Sequence, residues 1–247
     1  MKLDVLAIAA HPDDTELSCA GTLAALIQQG LKVGVLDLTQ GEMGSRGTPK
    51  LRLQEARSAA AILGLHVREN AGLPDCNLEN IPSNREVIIR YIRHFRPEVC
   101  FINAPDDRHP DHGNAARLTT DALFYGGLPK ITTFDQHGAP QQPWRPFHTL
   151  HYQQDRMFTP NIVFDITDTI DLKEKAILAF GSQFNVTDPR GEPETYISSS
   201  GFFEQLRARA RTYGHQIGVT YGEPFLYQGG PLPLRNLDLF LSHKPKR

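Results

Sequence analysis

The sequence is poor in features that would cross-link it, carry it across a membrane or hold it on a polyanion. It has three cysteines in 247 residues, Cys19, Cys76 and Cys100, odd in number and far apart. That spacing excludes a zinc ribbon and a disulfide framework. They are expected as reduced thiols of a cytoplasmic protein, most of them buried as small hydrophobes. No apolar stretch approaches the ~20 residues that a bilayer-spanning helix needs. The apolar run at residues 5–10 is short, follows Asp4 and is succeeded at once by charged residues. It reads as a buried first strand and not as a secretory leader. A formal net charge of −2 gives no electrostatic case for nucleic acid or an anionic membrane as partner. Internal repeats, low-complexity tracts and clean linkers are absent. So are two nucleotide-binding signatures. His11-Pro12-Asp13-Asp14 stands where a G-x-G-x-x-G would follow the first strand, and no Gly-Lys-Ser/Thr follows the glycine-rich loop at 41–47.

What remains is an ordinary globular composition, 40% hydrophobic and 22% charged, on a chain long enough to bury a sizeable core. Strands are expected at residues 3–10, 32–38, 65–69 and 99–103. Helices are expected at 17–29, from Pro49 to Gly64, from a Ser83 cap to Pro97, and near 113–124. This alternation implies βαβ units, right-handed crossovers and a mostly parallel sheet. The expected fold class is α/β, a Rossmann-like mostly parallel sheet flanked by helices, with a C-terminal extension contributing to the pocket. It is read as one domain over 1–247, with 1–125 the Rossmann-like half and 126–247 the C-terminal portion. A 3-2-1-4 strand order would make strands one and four neighbours at a switch point. Residues 126–147 read as a long loop or arm. Further strands are expected at 148–153 and 162–166, and helices at 168–180 and 201–213. The tail at 222–241 shows only scattered apolar runs. Arg207, Arg209 and Arg211 are expected on a solvated helix face.

Two polar clusters follow strands one and four. The first is His11-Pro12-Asp13-Asp14-Thr15-Glu16 and the second is Asp106-Asp107-Arg108-His109-Pro110-Asp111-His112. Ligands of open α/β sheets bind at this carboxyl edge, so the two turns are expected to face each other and hold a metal. His11 and Asp14 are candidate ligands, and the second cluster offers His109, Asp111 and His112. An imidazole–carboxylate–imidazole set with one open position is catalytic-zinc chemistry. Asp13, beside Asp14, is a candidate general base. His109, if off the metal, is an imidazolium able to meet an oxyanion or protonate a leaving amine. Arg52 and Arg108 are candidates for the rim. Either turn alone could be a capped surface turn. Two of them, each after a buried strand, favour a site. His66, His94, His137, His148 and His151 are read as satisfied or solvated.

With these residues the chain resembles the zinc-dependent PIG-L/LmbE-like deacetylases, which act on N-acetylglucosamine-type substrates. The resemblance extends to Gly41-Glu42-Met43-Gly44-Ser45-Arg46-Gly47-Thr48, to Arg52-Leu53-Gln54-Glu55-Ala56, and to Ile217-Gly218-Val219-Thr220-Tyr221-Gly222-Glu223-Pro224-Phe225. It is nearest the bacillithiol-pathway N-acetylglucosaminyl malate deacetylases. The resemblance implies metal at His11, Asp14 and His112, with Zn2+ or alternatively Fe2+ as cofactor. It implies Asp13 as base and His109 as the charged imidazole at the oxyanion. Arg46, Arg52, Arg108 and Tyr196 would be substrate-binding residues, and Glu16 is given a supporting or substrate-hydroxyl role. Position 107 is Asp where some thiol-pathway relatives carry tyrosine. A homo-oligomer, trimer or hexamer, is implied. The expected activity is hydrolytic N-deacetylation of a small GlcNAc conjugate, N-acetyl-glucosaminyl-malate first and diacetylchitobiose or another GlcNAc-type substrate as the alternative. In another class stands a non-catalytic sugar-binding Rossmann module. Two-metal phosphoryl transfer needs more acidic ligands than the clusters clearly supply.

Overall fold

The computed structural model describes residues 1–184, 193–199, 201–233 and 236. Apolar runs without polar alternation suit strands covered on both faces, and these build the centre. β1 (Val5–Ala9) and β2 (Val33–Asp37) are buried along their whole lengths. β3 (Val67–Asn70) and β4 (Val99–Ile102) complete a parallel set, with Ala9 opposite Asp37 and Leu6 opposite Cys100. The helices between them are α1 (Asp14–Ser18), α2 (Ala20–Gln28), α3 (Pro49–Leu63), α4 (Pro82–Phe95) and α5 (Pro110–Gly126). β5 (His148–Tyr152) runs parallel to β4. β6 (Ile162–Asp165), α6 (Ile170–Leu178), α7 (Gly181–Phe184), a 3-10 turn at Tyr196–Ser198, α8 (Phe202–Gln216) and β7 (Gly222–Tyr227) follow.

The seven strands lie in the order β3-β2-β1-β4-β5-β7-β6, with β7 antiparallel to both its neighbours. The 3-2-1-4 half is as the sequence suggests. One face of the sheet packs Leu6, Ile8 and Ile102 against Ile88 and Ile92 of α4 and Leu118 of α5. The other packs Val33, Val35 and Phe101 with Leu23 of α2. No described helix is long and apolar enough to cross a membrane.

Three elements differ from expectation. The helix at 17–29 starts earlier and breaks at Cys19, whose φ of −137° and ψ of 11° leave the helical region. The break gives α2 its own N-terminus, and the distant Glu223 caps it. The Glu223 carboxylate accepts from Gly21 N (3.1 Å), Thr22 N (2.7 Å) and Thr22 Oγ1 (2.5 Å), and pairs with Lys173 Nζ at 2.5 Å. The third helix starts at Pro82 with Ile81 as its uncapped N-cap, not at Ser83, because proline is preset for the first helical position. The tail contains β7, inserted between β5 and β6; Pro224 and the buried Glu223 hide it from a hydrophobicity reading.

The arm at 126–147 is tied down by polar bonds. Arg93 donates to the carbonyls of Gly126, Leu128 and Ile131 at 2.7–3.0 Å, and Trp144 Nε1 donates to Pro97 O at 2.8 Å. A cavity of about 470 Å³ beside it is lined by Tyr91, His94 and Phe134 among others, and by none of the candidate site residues.

Candidate metal and catalytic centre

β1 and β4 are neighbours, so the turns after them meet at one edge of the sheet. The cavity there, about 180 Å³, is lined by His11, Asp13, Asp14, His109 and His112 together with Arg52 and Arg108. Local chemistry builds each turn. Asp13 is the N-cap of α1 in the left-handed region, φ 110°, a strained conformation for a non-glycine residue that aims the next carboxylate inward. His109 caps α5, its Nδ1 accepting from Asp111 N at 3.2 Å, and Pro110 starts the helix. Asp111 and His112 then fall on the first turn and face the first cluster.

The donors converge. His112 Nε2 lies 3.1 Å from Asp14 Oδ1, and His11 Nδ1 lies 3.7 Å from Asp14 Oδ2. Asp14 is oriented by His11 N (3.0 Å) and Asn103 Nδ2 (3.2 Å). The far nitrogen of each ring has its own carboxylate: His112 Nδ1 meets Asp107 Oδ2 at 2.5 Å, and His11 Nε2 meets Asp75 Oδ1 at 3.0 Å. Such outer carboxylates fix the tautomer and aim of metal-binding imidazoles. Donor atoms of His11, His109 and His112 lie within 4.8 Å of one another, as do those of His11, Asp75 and Asp111. Five aspartates, 13, 14, 75, 107 and 111, are nearly buried here. This excess of buried negative charge and the mixed imidazole–carboxylate donors fit a divalent cation.

The same crowding sets the proton affinities. Burial alone would lower His11, but hydrogen bonds to Asp111 and Asp75 and the field of Asp14 prevail and push it up to about 10. Burial likewise opposes charge on His112, yet Asp14 and Asp107 raise it to about 9. A metal would replace protons at these nitrogens. Burial raises Asp13 to about 7, against the pull of Arg52, whose Nη2 lies 3.1 Å from Asp13 Oδ2. Burial resists ionisation of Asp14, but His112 and His11 hold its carboxyl well below the usual range. His109 lies below its usual range because of burial, with the neighbouring His11 and His112 adding to it. That direction, with Nδ1 accepting from Asp111 N, favours a neutral imidazole over the expected imidazolium and leaves Nε2 to face the cavity.

The substrate-binding expectations divide. Arg108 has a half-exposed side chain at the cavity rim, 3.3 Å from Asp155 and with its guanidinium 4.5 Å from the Tyr196 ring centre. Tyr196 Oη donates to Asp155 at 2.8 Å. Arg52 lines the cavity but is tied to Asp13 and to the carbonyls of Pro12 and Gly41. Gly41, φ 65°, is required there, because a Cβ would collide with the Arg52 guanidinium. Arg46 is corrected: it is 3% exposed, donates to Ser182 O (2.8 Å) and Pro193 O (3.1 Å), and braces the glycine-rich loop without lining the cavity. Of the two roles expected of Glu16, the substrate-hydroxyl one is corrected and the supporting one stays open. Glu16 is 0% exposed beneath the site, paired with Arg68 at 2.6 Å in a buried cluster with Asp37, and cannot reach a substrate hydroxyl.

Sequence reasoning missed Asp75 and the part Asp107 plays against His112. Asp75 follows β3 in Leu73-Pro74-Asp75; an acid in a turn at the same sheet edge was the available signal. It also missed Arg209. Placed on a solvated face of α8, Arg209 donates instead to the carbonyls of Gln154, after β5, and Leu17, in α1. Among the cysteines, Cys19 and Cys100 are buried and Cys76 is exposed at the cavity wall.

The chain is similar to several known proteins. Residues 6–123 match the family model PIG-L, GlcNAc-PI de-N-acetylase. The diacetylchitobiose deacetylase of Thermococcus kodakarensis is 30% identical over 92% of this chain and 83% of its own. A probable N-acetyl-alpha-D-glucosaminyl L-malate deacetylase 2 of Bacillus anthracis is 26% identical over 79% of this chain and 89% of its own. The crystal structure of a conserved protein from Thermus thermophilus superposes with a TM-score of 0.79 at 40% identity, covering 95% of this chain and 97% of that one.

Proposed function

This chain belongs to the PIG-L family of de-N-acetylases, and from that membership we propose that it hydrolyses the 2-acetamido group of a small GlcNAc conjugate. The observation that carries the proposal is the convergence of His11, Asp14 and His112 beside the buried carboxyl of Asp13 and the donor of His109. A divalent cation, zinc or alternatively iron(II), would be held by His11, Asp14 and His112 and would supply Lewis acidity to the acyl oxygen and the hydrolytic water. Asp107 keeps His112 Nε2 pointed inward, and Asp75 does the same service for the His11 ring. Asp13 takes a proton from the attacking water as the new C–O bond forms. Arg52 holds that carboxylate in place. His109 donates from Nε2 to the acyl oxygen as its charge grows, an interaction worth ~3 kcal/mol of barrier in comparable oxyanion sites. When the amide C–N bond breaks, Asp13 returns the proton to the leaving nitrogen. The products are acetate and the free amine.

The finer reading is N-acetyl-glucosaminyl-malate, as in bacillithiol biosynthesis. It rests on the half-exposed cation Arg108 at the rim and on the likeness to the Bacillus anthracis protein. Arg46 and Arg52 no longer argue for an anionic aglycone, since both are buried and held by the protein's own groups, whereas Arg108, though paired with Asp155, keeps half its side chain exposed. The 30% identity to the Thermococcus kodakarensis enzyme favours diacetylchitobiose as the second reading. Acetate release from GlcNAc-malate, diacetylchitobiose and free GlcNAc decides between them. A malate conjugate cleaved no faster than GlcNAc sinks the first reading. A diacetylchitobiose rate no better than GlcNAc sinks the second.

A further inference from the structure

A recess of about 60 Å³ opens off the main cavity, and Asp14 and His112 line both. That is room for a few water-sized groups. Its side walls are apolar: Leu17 of α1, Ile197 of the 3-10 turn, and Phe202 and Leu206 of α8. Phe202 is only 7% exposed and is held edge-on by the Tyr196 ring at 5.4 Å. Charged groups line it too: Arg108 with Asp107 and Asp155 on the rim side, and Arg209. Arg209 lines it with its guanidinium anchored on the carbonyls of Gln154 and Leu17, and no carboxylate pairs with it among the described residues.

We propose that this recess is the acyl subsite of the deacylation centre and that Leu206 and Arg209 set the length of the acyl chain. The inference rests on the deacetylase reading above. An acyl carbon attacked between Asp13 and His112 has its oxygen toward His109 and its nitrogen toward the open rim. The alkyl end then has the recess beside Asp14 and His112 to enter. The apolar walls take a methyl or ethyl group. A longer chain meets Leu206 sterically and sets alkyl carbon against a charged guanidinium whose donors beyond those held by Gln154 and Leu17 it cannot satisfy, which is costly. The wall thus attracts the first carbons and the cation rejects the next. In a hydrophobic pocket a single methylene changes specificity by about 10–200-fold, which sets the scale expected here.

The test uses a ladder of N-acetyl-, N-propionyl-, N-butyryl- and N-hexanoyl-glucosamine with the metal-loaded protein and its Leu206→Ala and Arg209→Met variants. The wild type is expected to lose at least about 10-fold in kcat/KM from propionyl to butyryl. Each variant is expected to raise the butyryl-to-acetyl ratio by about 10-fold or more, whatever happens to its absolute rate. A brace with only a structural role would lower both substrates together and leave the ratio where it was. Binding of acetate, propionate, butyrate and hexanoate by ligand-observed NMR gives a readout free of turnover. The wild type should favour the short acids, and Leu206→Ala should admit the long ones. A wild type that cleaves nothing but keeps this binding ladder and its response to Leu206→Ala retains the acyl subsite and removes the deacetylase reading. A flat ladder in both measurements, or ratios unmoved by both variants, overturns the subsite.

Discussion

The β1–β4 half and the part that follows it contribute different things to one cavity. Every candidate ligand and proton-handling residue comes from the turns after β1 and β4, with Asp75 added from the turn after β3. These groups are held by short-range geometry: a strained turn at Asp13, a proline-started helix at Pro110, and parallel neighbours in the sheet. The later part supplies Tyr196, Ile197, Phe202, Leu206 and Arg209, the walls of the recess proposed for the acyl chain. These are held by long-range ties, chiefly Glu223 on the N-terminus of α2 and Lys173, and Arg209 on the carbonyls of Gln154 and Leu17. On the proposed function, the contrast predicts that reaction type and substrate choice reside in different stretches of this chain and can be broken separately.

The largest effects should come from the first half. Asp13→Asn removes the proton acceptor while keeping the shape, and kcat should fall by about 10²–10⁴-fold. His109→Ala should cost about 10²–10³-fold. Neither removes His11, Asp14 or His112, so bound metal measured by atomic emission should stay near the wild-type level. A variant that turns over at the wild-type rate would show its assigned role to be wrong.

The tie between the two parts should be next in size. Glu223→Ala leaves Lys173 buried without a partner and α2 without its cap, which should lower stability by about 3–5 kcal/mol in urea unfolding. The double variant Glu223→Leu, Lys173→Met should recover much of that loss, because an apolar pair carries no desolvation cost. No recovery would mean that the hydrogen bonds to Gly21 and Thr22 outweigh the ion pair.

A pH profile sharpens the account of Asp13. Its carboxyl, raised to about 7 by burial, must be ionised to accept a proton, so kcat/KM should climb as pH rises toward 7 and fall away below. A cation in the site would draw this acid limb downward, never upward. Arg52 pulls in the same direction from 3.1 Å. Arg52→Met should therefore move the limb up by about one pH unit or more. An unmoved limb would assign the titration to another group. The smallest effect belongs to the later part: Tyr196→Ala should raise KM by about 10-fold or less and leave kcat nearly intact, as expected for binding that is uniform between ground and transition state.

The same contrast explains what could be read in the sequence. The 3-2-1-4 half was legible because buried parallel strands appear as continuous apolar runs, and the two His-Pro-Asp turns stand directly after two of them. The juxtaposition of His11, Asp13, Asp14, His109 and His112 follows from strand order alone. β7 was not legible, since its buried glutamate is matched by Gly21 and Thr22, some two hundred residues away, and by Lys173, and its proline stands in a strand paired opposite Val163. The substrate contacts expected of Arg46 and Glu16, and the solvated face expected of Arg209, failed for a related reason. A charged side chain in a sequence does not show whether it faces a ligand, a carbonyl or another buried charge. Arg46 faces carbonyls, Glu16 faces Arg68, and Arg209 faces the carbonyls beneath the recess.

The central claim is that His11, Asp14 and His112 hold a metal that the hydrolysis of a GlcNAc amide requires. Acetate release from the GlcNAc-conjugate panel, measured on chelator-stripped protein and again after reloading with zinc or iron(II), tests it most directly. Stripped protein should release none, and reloaded protein should recover turnover on at least one conjugate. Equal release with and without metal, or none from any conjugate after reloading with either metal, would contradict it.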